Sequence, residues 1–94
     1  MLDFYLIADD QPNTTSTTRL KYAGGVEYEE FELAQKMGII ESHTDYYGRF
    51  RWSSQQVADK LLLLASCPLR TSTALNEVLA QAKAAQFGLA AFGD

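Results

Sequence analysis

The sequence has very few of the side chains on which catalysis and metal binding most often depend. It contains one histidine, His43, and one cysteine, Cys67, and no motif surrounds either of them. Catalytic and metal sites need a base, a nucleophile or soft ligands that converge in sets. This scarcity predicts that the protein is not an enzyme and that it binds neither a metal nor a cofactor.

Basic residues are also scarce, and the charge is unevenly distributed. Eight lysines and arginines stand against twelve acids, which gives a net charge of −4. Residues 1–50 carry nine of the acids and four of the bases. Nucleic-acid binders show a basic footprint, because phosphate contacts supply most of their affinity. We therefore expect no nucleic-acid partner, whereas a basic protein would be attracted to the acidic half.

Long hydrophobic runs and paired cysteines are missing as well. The longest uninterrupted apolar run, Leu61–Ala65, is too short to span a bilayer. No basic segment precedes the first apolar run, which Asp3 interrupts, so no signal peptide is expected. A single cysteine forms no intrachain disulfide, which fits a reducing compartment. The sequence thus predicts a cytoplasmic, bacterial protein without membrane contact.

The remaining composition is that of one small globular domain. Apolar residues make up 47% of the 94 residues, which excludes the disordered class. A chain of this length buries roughly two-thirds of its unfolded surface and holds one thin core. We expect residues 1–94 to form a single domain.

Three segments have the pattern of strands. Leu2–Ala8 is rich in aromatic and branched residues, and Arg19–Ala23 alternates basic with apolar residues before Gly24 and Gly25 end it. Asp45–Trp52 places Tyr46, Phe50 and Trp52 on one face and Tyr47, Arg49 and Arg51 on the other. The polar segment 11–18 between the first two strands is expected to be a loop.

Three further segments have the pattern of helices. Val26–Met37 has acids in its first turns and Gly38 as its C-terminal cap. A capping box of Ser53 and Gln56 predicts a helix to about Ser66. After the break at Cys67-Pro68, Thr73 can cap a last helix that ends near Phe87, before Gly88. The tail that follows, 89–94, is apolar for a terminus.

The order β-β-α-β-α-α predicts an α+β domain. We expect a small sheet of three to four strands, covered on one face by about three helices. The additional strand is expected between Ile39 and Trp52.

Leu6-Ile7-Ala8-Asp9-Asp10-Gln11-Pro12 resembles the start of response-regulator receiver domains. In that family an acidic pair at the end of the first strand helps to hold magnesium, a cation that prefers carboxylate oxygens. The resemblance covers seven residues, after which a polar loop replaces the family's first helix. The other interpretation is that Asp9 and Asp10 simply end a strand in solvent.

Leu33–Ile40 and the later Tyr47–Ser53 together resemble the end of a winged-helix domain, which implies a nucleic-acid binder. In that family a recognition helix ends in Gly-Leu/Ile-Ile, and a hairpin wing returns with arginines. Here strands are predicted where the two preceding helices should be, and the helix carries four glutamates that would repel phosphate.

The segment 46–52 is the one place enriched in the side chains of protein-binding hot spots. Tyrosine, tryptophan and arginine dominate such spots, because they bury large areas at a modest cost in conformational entropy. The candidate protein-binding residues are Tyr47, Arg49, Arg51 and Trp52. Alternatively, the arginines pair with Glu29 and Glu32 of the acidic helix.

The sequence therefore favours a small acidic protein that binds another protein, in the manner of immunity-type or regulatory proteins of similar size and charge. A second hypothesis is a homodimeric small-ligand or regulatory domain, joined through the C-terminal helix and tail. Deleting 89–94 would then dissociate the dimer and would leave a monomeric binder little changed.

Overall fold

The structure is a computed structural model that describes residues 1–12, 20–66 and 73–93. Parts of three predicted features lie outside these residues: the polar loop, the start of the second strand at Arg19 and the Cys67-Pro68 break. The side chain of Thr73, the predicted cap of the last helix, also lies outside what the structure describes. The elements are, in chain order, β1 (Leu2–Ile7), β2 (Lys21–Val26), α1 (Tyr28–Lys36), β3 (Arg49–Trp52), α2 (Ser54–Ala65), α3 (Thr73–Ala85) and β4 (Gly88–Phe92).

The four strands form one antiparallel sheet in the order β2-β1-β4-β3. The predicted α+β class, the predicted element order and the cover of helices on one face of the sheet are confirmed. The fourth strand is not the one expected between Ile39 and Trp52, because residues 39–48 form turns. It is the apolar tail, which lies as β4 between β1 and β3.

Strand alternation builds the core. Leu2, Phe4 and Leu6 of β1 share one face and are nearly inaccessible to solvent. On the same face their neighbours in β4 are Leu89 and Ala91. This face packs against apolar side chains from the helices: Phe31, Ala34, Val57, Leu75, Val78, Leu79 and Ala82.

The second strand does not end at its glycine pair, as the sequence suggested, but continues through it to Val26. The register between β1 and β2 shifts after Phe4, and Gly24 has a φ of +153°, which few side chains tolerate. A Cβ at Gly24 would also lie 2.9 Å from Val78 Cγ2 on α3. The extra residue of this bulge is Ala23, beside Gly24, and α3 packs closely against the strand there.

The structure agrees with the predicted start of α2 and the predicted end of α1, but it places the end of α3 earlier than predicted. Ser53 and Gln56 form the reciprocal capping box of α2, and Gly38 follows α1 with a φ of +79°. The last helix ends at Ala85 rather than near Phe87. Gln86 takes the left-handed conformation there, with a φ of 62°, and Phe87 N–H donates to the Ala82 carbonyl.

The third strand is shorter than the predicted Asp45–Trp52. Residues 45–48 form a turn in which the Asp45 side chain accepts a hydrogen bond from Tyr47 N–H and its carbonyl accepts one from Gly48 N–H. Tyr46 is buried, as expected, but it reaches the core from this turn and not from a strand.

Candidate protein-binding surface

A row of large side chains crosses the face of the sheet opposite the core. Each strand contributes one member: Tyr22 from β2, Tyr5 from β1, Phe92 from β4 and Arg49 from β3. Tyr5 lies 5.3 Å from Tyr22 and 5.7 Å from Phe92 between ring centroids, and the Arg49 guanidinium lies 5.8 Å from the Phe92 centroid. We call these four residues the aromatic row.

The row combines apolar area with polar groups at both ends. Tyr22 is 50% exposed and its hydroxyl donates to Asp3 Oδ1 at 3.2 Å. Partial burial and the Asp3 carboxylate raise the pKa of that hydroxyl. Arg49 is exposed at the opposite end, on the edge strand β3. Ring edges are electropositive and faces electronegative, so the nearly perpendicular Tyr5–Phe92 contact fixes both rings.

The structure places the predicted site residues in different environments. Tyr47, in the turn before β3, is 64% exposed, and Arg49 is exposed beside it. Trp52 is 3% exposed and packs 5.4 Å from Phe4 between ring centroids, so it lies beneath the surface. Tyr47 and Arg49 are therefore accessible to a partner, whereas Trp52 is a core residue.

Arg51 is half-buried and makes contacts within the chain. Its Nη2 donates to the Ala8 carbonyl at 2.7 Å and to the Asp9 carbonyl at 3.2 Å, where β1 ends. This side chain ties the edge strand to the end of β1 across the intervening β4. Its replacement would disturb the fold as well as any surface, so Arg51 is unsuitable as a probe of binding alone.

Asp9, part of the acidic pair that resembles a receiver domain, caps a helix. Its carboxylate accepts hydrogen bonds from the Ser54 backbone N–H, at 2.8 Å, and from the Ser54 hydroxyl. These bonds, to the hydroxyl first and the backbone second, lower the pKa of Asp9. Among the described residues no group of three histidine, cysteine or acidic side chains is placed to hold a metal ion.

Lys60 is a buried lysine that the sequence analysis did not single out. Its ammonium donates to the Ile39 carbonyl and to Glu41 Oε2, both at 2.7 Å, and lies 4.5 Å from the Trp52 ring centroid. Burial raises the pKa of Glu41, but the hydrogen bond from Lys60, further hydrogen bonds from backbone and Trp52, and the ammonium charge together outweigh burial and leave that pKa lowered. The sequence did contain a signal for the burial of Lys60, because this lysine lies three residues after Val57, on the apolar face of α2.

A second group of aromatic residues lies between the start of α1 and the turn that precedes β3. The Tyr46 ring contacts Tyr28 at 5.2 Å and Tyr47 at 5.0 Å between centroids, at angles of 89° and 88°. Tyr46 is buried and donates to the Val26 carbonyl, whereas Tyr28 and Tyr47 are 48% and 64% exposed. We call Tyr28, Tyr46 and Tyr47 the tyrosine cluster.

The remaining predictions concern single residues. His43 is exposed in a turn, and Cys67 lies outside the described residues.

Glu30, on the helix that resembles a recognition helix, accepts a hydrogen bond from Leu75 N–H in the first turn of α3. Because α1 is preceded by β1 and β2, the described part of the chain lacks the helices that a winged-helix domain places there.

No protein-family model matches the chain, and neither a curated protein nor a solved structure shows significant similarity to it. In residues 1–12, 20–66 and 73–93 no helix is both long enough and apolar enough to cross a membrane.

Proposed function

We propose that the protein is a small cytoplasmic, non-enzymatic domain that binds another protein on the aromatic row. The main support for the proposal is that every strand contributes one large side chain to the same face. These side chains form a continuous path across the sheet: Tyr22, Tyr5, Phe92 and Arg49. Aromatic and arginine side chains at the centre of an interface supply most of its binding energy.

The roles of the ionisable side chains support a binding function over catalysis. Asp9 and Glu30 accept hydrogen bonds from the first turns of two helices, and Lys60 and Glu41 form a tie inside the fold. Tyr22 and Arg49 differ from them, because both present much of their area to solvent. Their rigid mounting on a sheet lowers the entropy lost when a partner binds.

The decisive experiment is affinity capture from a native lysate with Arg49→Ala and Tyr22→Thr. Each variant removes one end of the aromatic row, and threonine suits a strand. Capture of the wild-type partner should fall at least tenfold, while thermal unfolding stays within a few degrees of the wild type. Lys83→Ala, an exposed charge on α3, is the matched control and should capture normally. Unchanged capture by both row variants would refute the proposal.

Two other partners would be detected in the same experiments. Aromatic rows on sheets also stack the bases of single-stranded nucleic acids, so tight binding of a dT oligonucleotide at physiological salt would replace the proposal. Sedimentation at several concentrations tests the homodimer hypothesis. A stable dimer abolished by Arg49→Ala would assign the row to self-association rather than to a different protein.

A further inference from the structure

We infer that the tyrosine cluster, together with Glu32, binds a lysine or arginine side chain of the protein partner. This inference rests on the proposed function and names the chemistry of the partner. It concerns a site that lies beyond the aromatic row, where α1 begins and the turn at 45–48 enters β3.

The geometry suits a cation. Tyr28 and Tyr47 both stand nearly perpendicular to the buried ring of Tyr46, which holds them in place, and both keep about half or more of their area exposed. Electron-rich ring faces attract an ammonium or guanidinium group within about 6 Å of the centroid. A flexible pair of surface tyrosines would lose more conformational entropy on binding than this braced pair.

The electrostatics of the cluster point the same way. Glu32 lies one helical turn after Tyr28 on α1, and the interaction of its carboxylate with the Tyr28 hydroxyl raises the pKa of Tyr28, with smaller contributions from burial and Tyr47. Glu27 and Glu29 flank Tyr28 in the sequence, and Asp45 stands in the same turn as Tyr47; all three are exposed. A partner would thus meet aromatic rings surrounded by negative charge.

One cation of the chain is already nearby. Lys36 Nζ lies 3.9 Å from Glu32 Oε1, one turn along α1, but both side chains are largely exposed, at 73% and 49%. Exposed pairs of this kind are weak and exchange readily. An incoming lysine or arginine can therefore replace Lys36 at Glu32 and contact the tyrosine rings at the same time.

The protein contains an internal control for this inference. Tyr22 is exposed to the same extent as Tyr28, at 50% against 48%, and its hydroxyl also has a carboxylate beside it, that of Asp3. Partial burial and this carboxylate raise the pKa of Tyr22, as Glu32 raises that of Tyr28. Its neighbours differ, since no cluster of three tyrosines surrounds it in the described residues. General attraction of cations to acidic tyrosine sites would affect Tyr22 and Tyr28 alike, whereas a specific site would affect only Tyr28 and Tyr47.

The test follows the ring signals of the tyrosines by NMR during titration with the blocked peptide acetyl-Gly-Arg-Gly-amide. The peptide with citrulline, which keeps the shape of arginine without its charge, is the control. Saturable shifts are expected at Tyr28 and Tyr47 with the arginine peptide only. Tyr28→Leu should weaken the affinity about fivefold, as expected for one exposed cation–π contact. Glu32→Gln, which removes the negative charge and keeps the shape of the side chain, should weaken the affinity about threefold.

Equal shifts with the citrulline peptide, equal shifts at Tyr22, or unchanged affinity in both variants would overturn the inference. Its failure is distinguishable from that of the proposed function. If Arg49→Ala abolishes partner capture while Tyr28→Leu and Glu32→Gln capture normally, the aromatic row binds the partner and the cluster does not. If the cluster variants lose capture and the row variants retain it, the cluster is the binding site and the row is not.

Discussion

At the scale of single residues, several acidic side chains serve to join elements that are distant in the sequence. Asp9 accepts a hydrogen bond from a backbone N–H at the start of α2, and Glu30 accepts one at the start of α3. In each case donor and acceptor are 45 residues apart in the sequence. Both carboxylates meet the positive end of a helix dipole, where negative charge is stabilising. Part of the acidic excess in the first half of the chain therefore has a structural role, and the part on exposed α1 positions is what a basic partner would meet.

The Asp9 cap predicts a specific dependence of stability on pH. Because the pKa of Asp9 is lower in the folded protein than the ordinary value of 3.8, the unfolded chain binds the proton more tightly. The stabilisation is complete above pH 3.8 and is lost as the pH falls through the lower folded-state pKa. Asp9→Asn should thus reduce the melting temperature at pH 7, and this difference should shrink in acid.

Thermal unfolding of the two proteins between pH 7 and pH 2.5 measures this difference. Asp10→Asn changes the same charge at the exposed neighbouring position and is the matched control. A difference between Asp9→Asn and the wild type that stays constant down to pH 2.5 would show that the carboxylate charge does not contribute to the cap.

At the scale of elements, helix ends could be predicted from neighbouring residues, whereas the pairing of strands could not. The capping box at Ser53 and the glycine after α1 depend on a few adjacent residues, so the sequence predicted both. The strand β4, Gly-Leu-Ala-Ala-Phe, consists mostly of residues with low strand propensity. It is a strand because β1 and β3 pair with it on both sides, which no local pattern records.

For the candidate site, likewise, the direction of single side chains could be predicted from the sequence, but the assembly of the aromatic row could not. The alternation along 49–52 placed Arg49 outward and Trp52 inward, as the structure has them. The partners of Arg49 in the aromatic row come from three other strands, so their assembly requires the strand order. The alternation in β1, with Leu2, Phe4 and Leu6 on one face, was the available signal that Tyr5 lies on the other.

The end of α3 provides a prediction at this scale. Gln86 holds a left-handed conformation that glycine adopts without the steric cost. We expect Gln86→Gly to raise the free energy of unfolding by about 0.5–1 kcal/mol, since part of the gain is offset by the greater freedom of glycine in the unfolded chain.

Urea denaturation measures the change. Ala84→Gly, at an exposed position inside the same helix, is the matched control and should lower the free energy of unfolding by about 1 kcal/mol. Opposite signs for the two variants are expected; destabilisation by both would contradict the role assigned to Gln86.

At the scale of the whole molecule, the sheet joins the beginning of the chain to its end. Asp3 pairs with Phe92 and Ile7 pairs with Gly88, so β1 and β4 together form the centre of the sheet. Leu89 and Ala91 are buried in the chain's own core, at 1% exposure each. The apolar character of the tail, which suggested a dimer interface, is therefore explained within one copy.

Deletion of 89–94 should consequently unfold the protein, and it cannot serve to separate a dimer from a monomer. The deletion removes the strand that β1 and β3 share and exposes the face of Phe4 and Leu6. We expect circular dichroism to show no cooperative thermal transition. Removal of 93–94 only, which leaves β4 whole, is the control; a sigmoidal transition in the longer deletion would contradict this topology.

The central position of β4 also affects how the protein is made. A ribosome releases β1 first and β4 last, and until the last strand has emerged β1 and β3 have no neighbour through which to join. The apolar faces of both strands are therefore expected to stay unpaired with each other during synthesis, when such segments are prone to misassociation. Folding is thus expected to be completed only after the whole domain has left the ribosome.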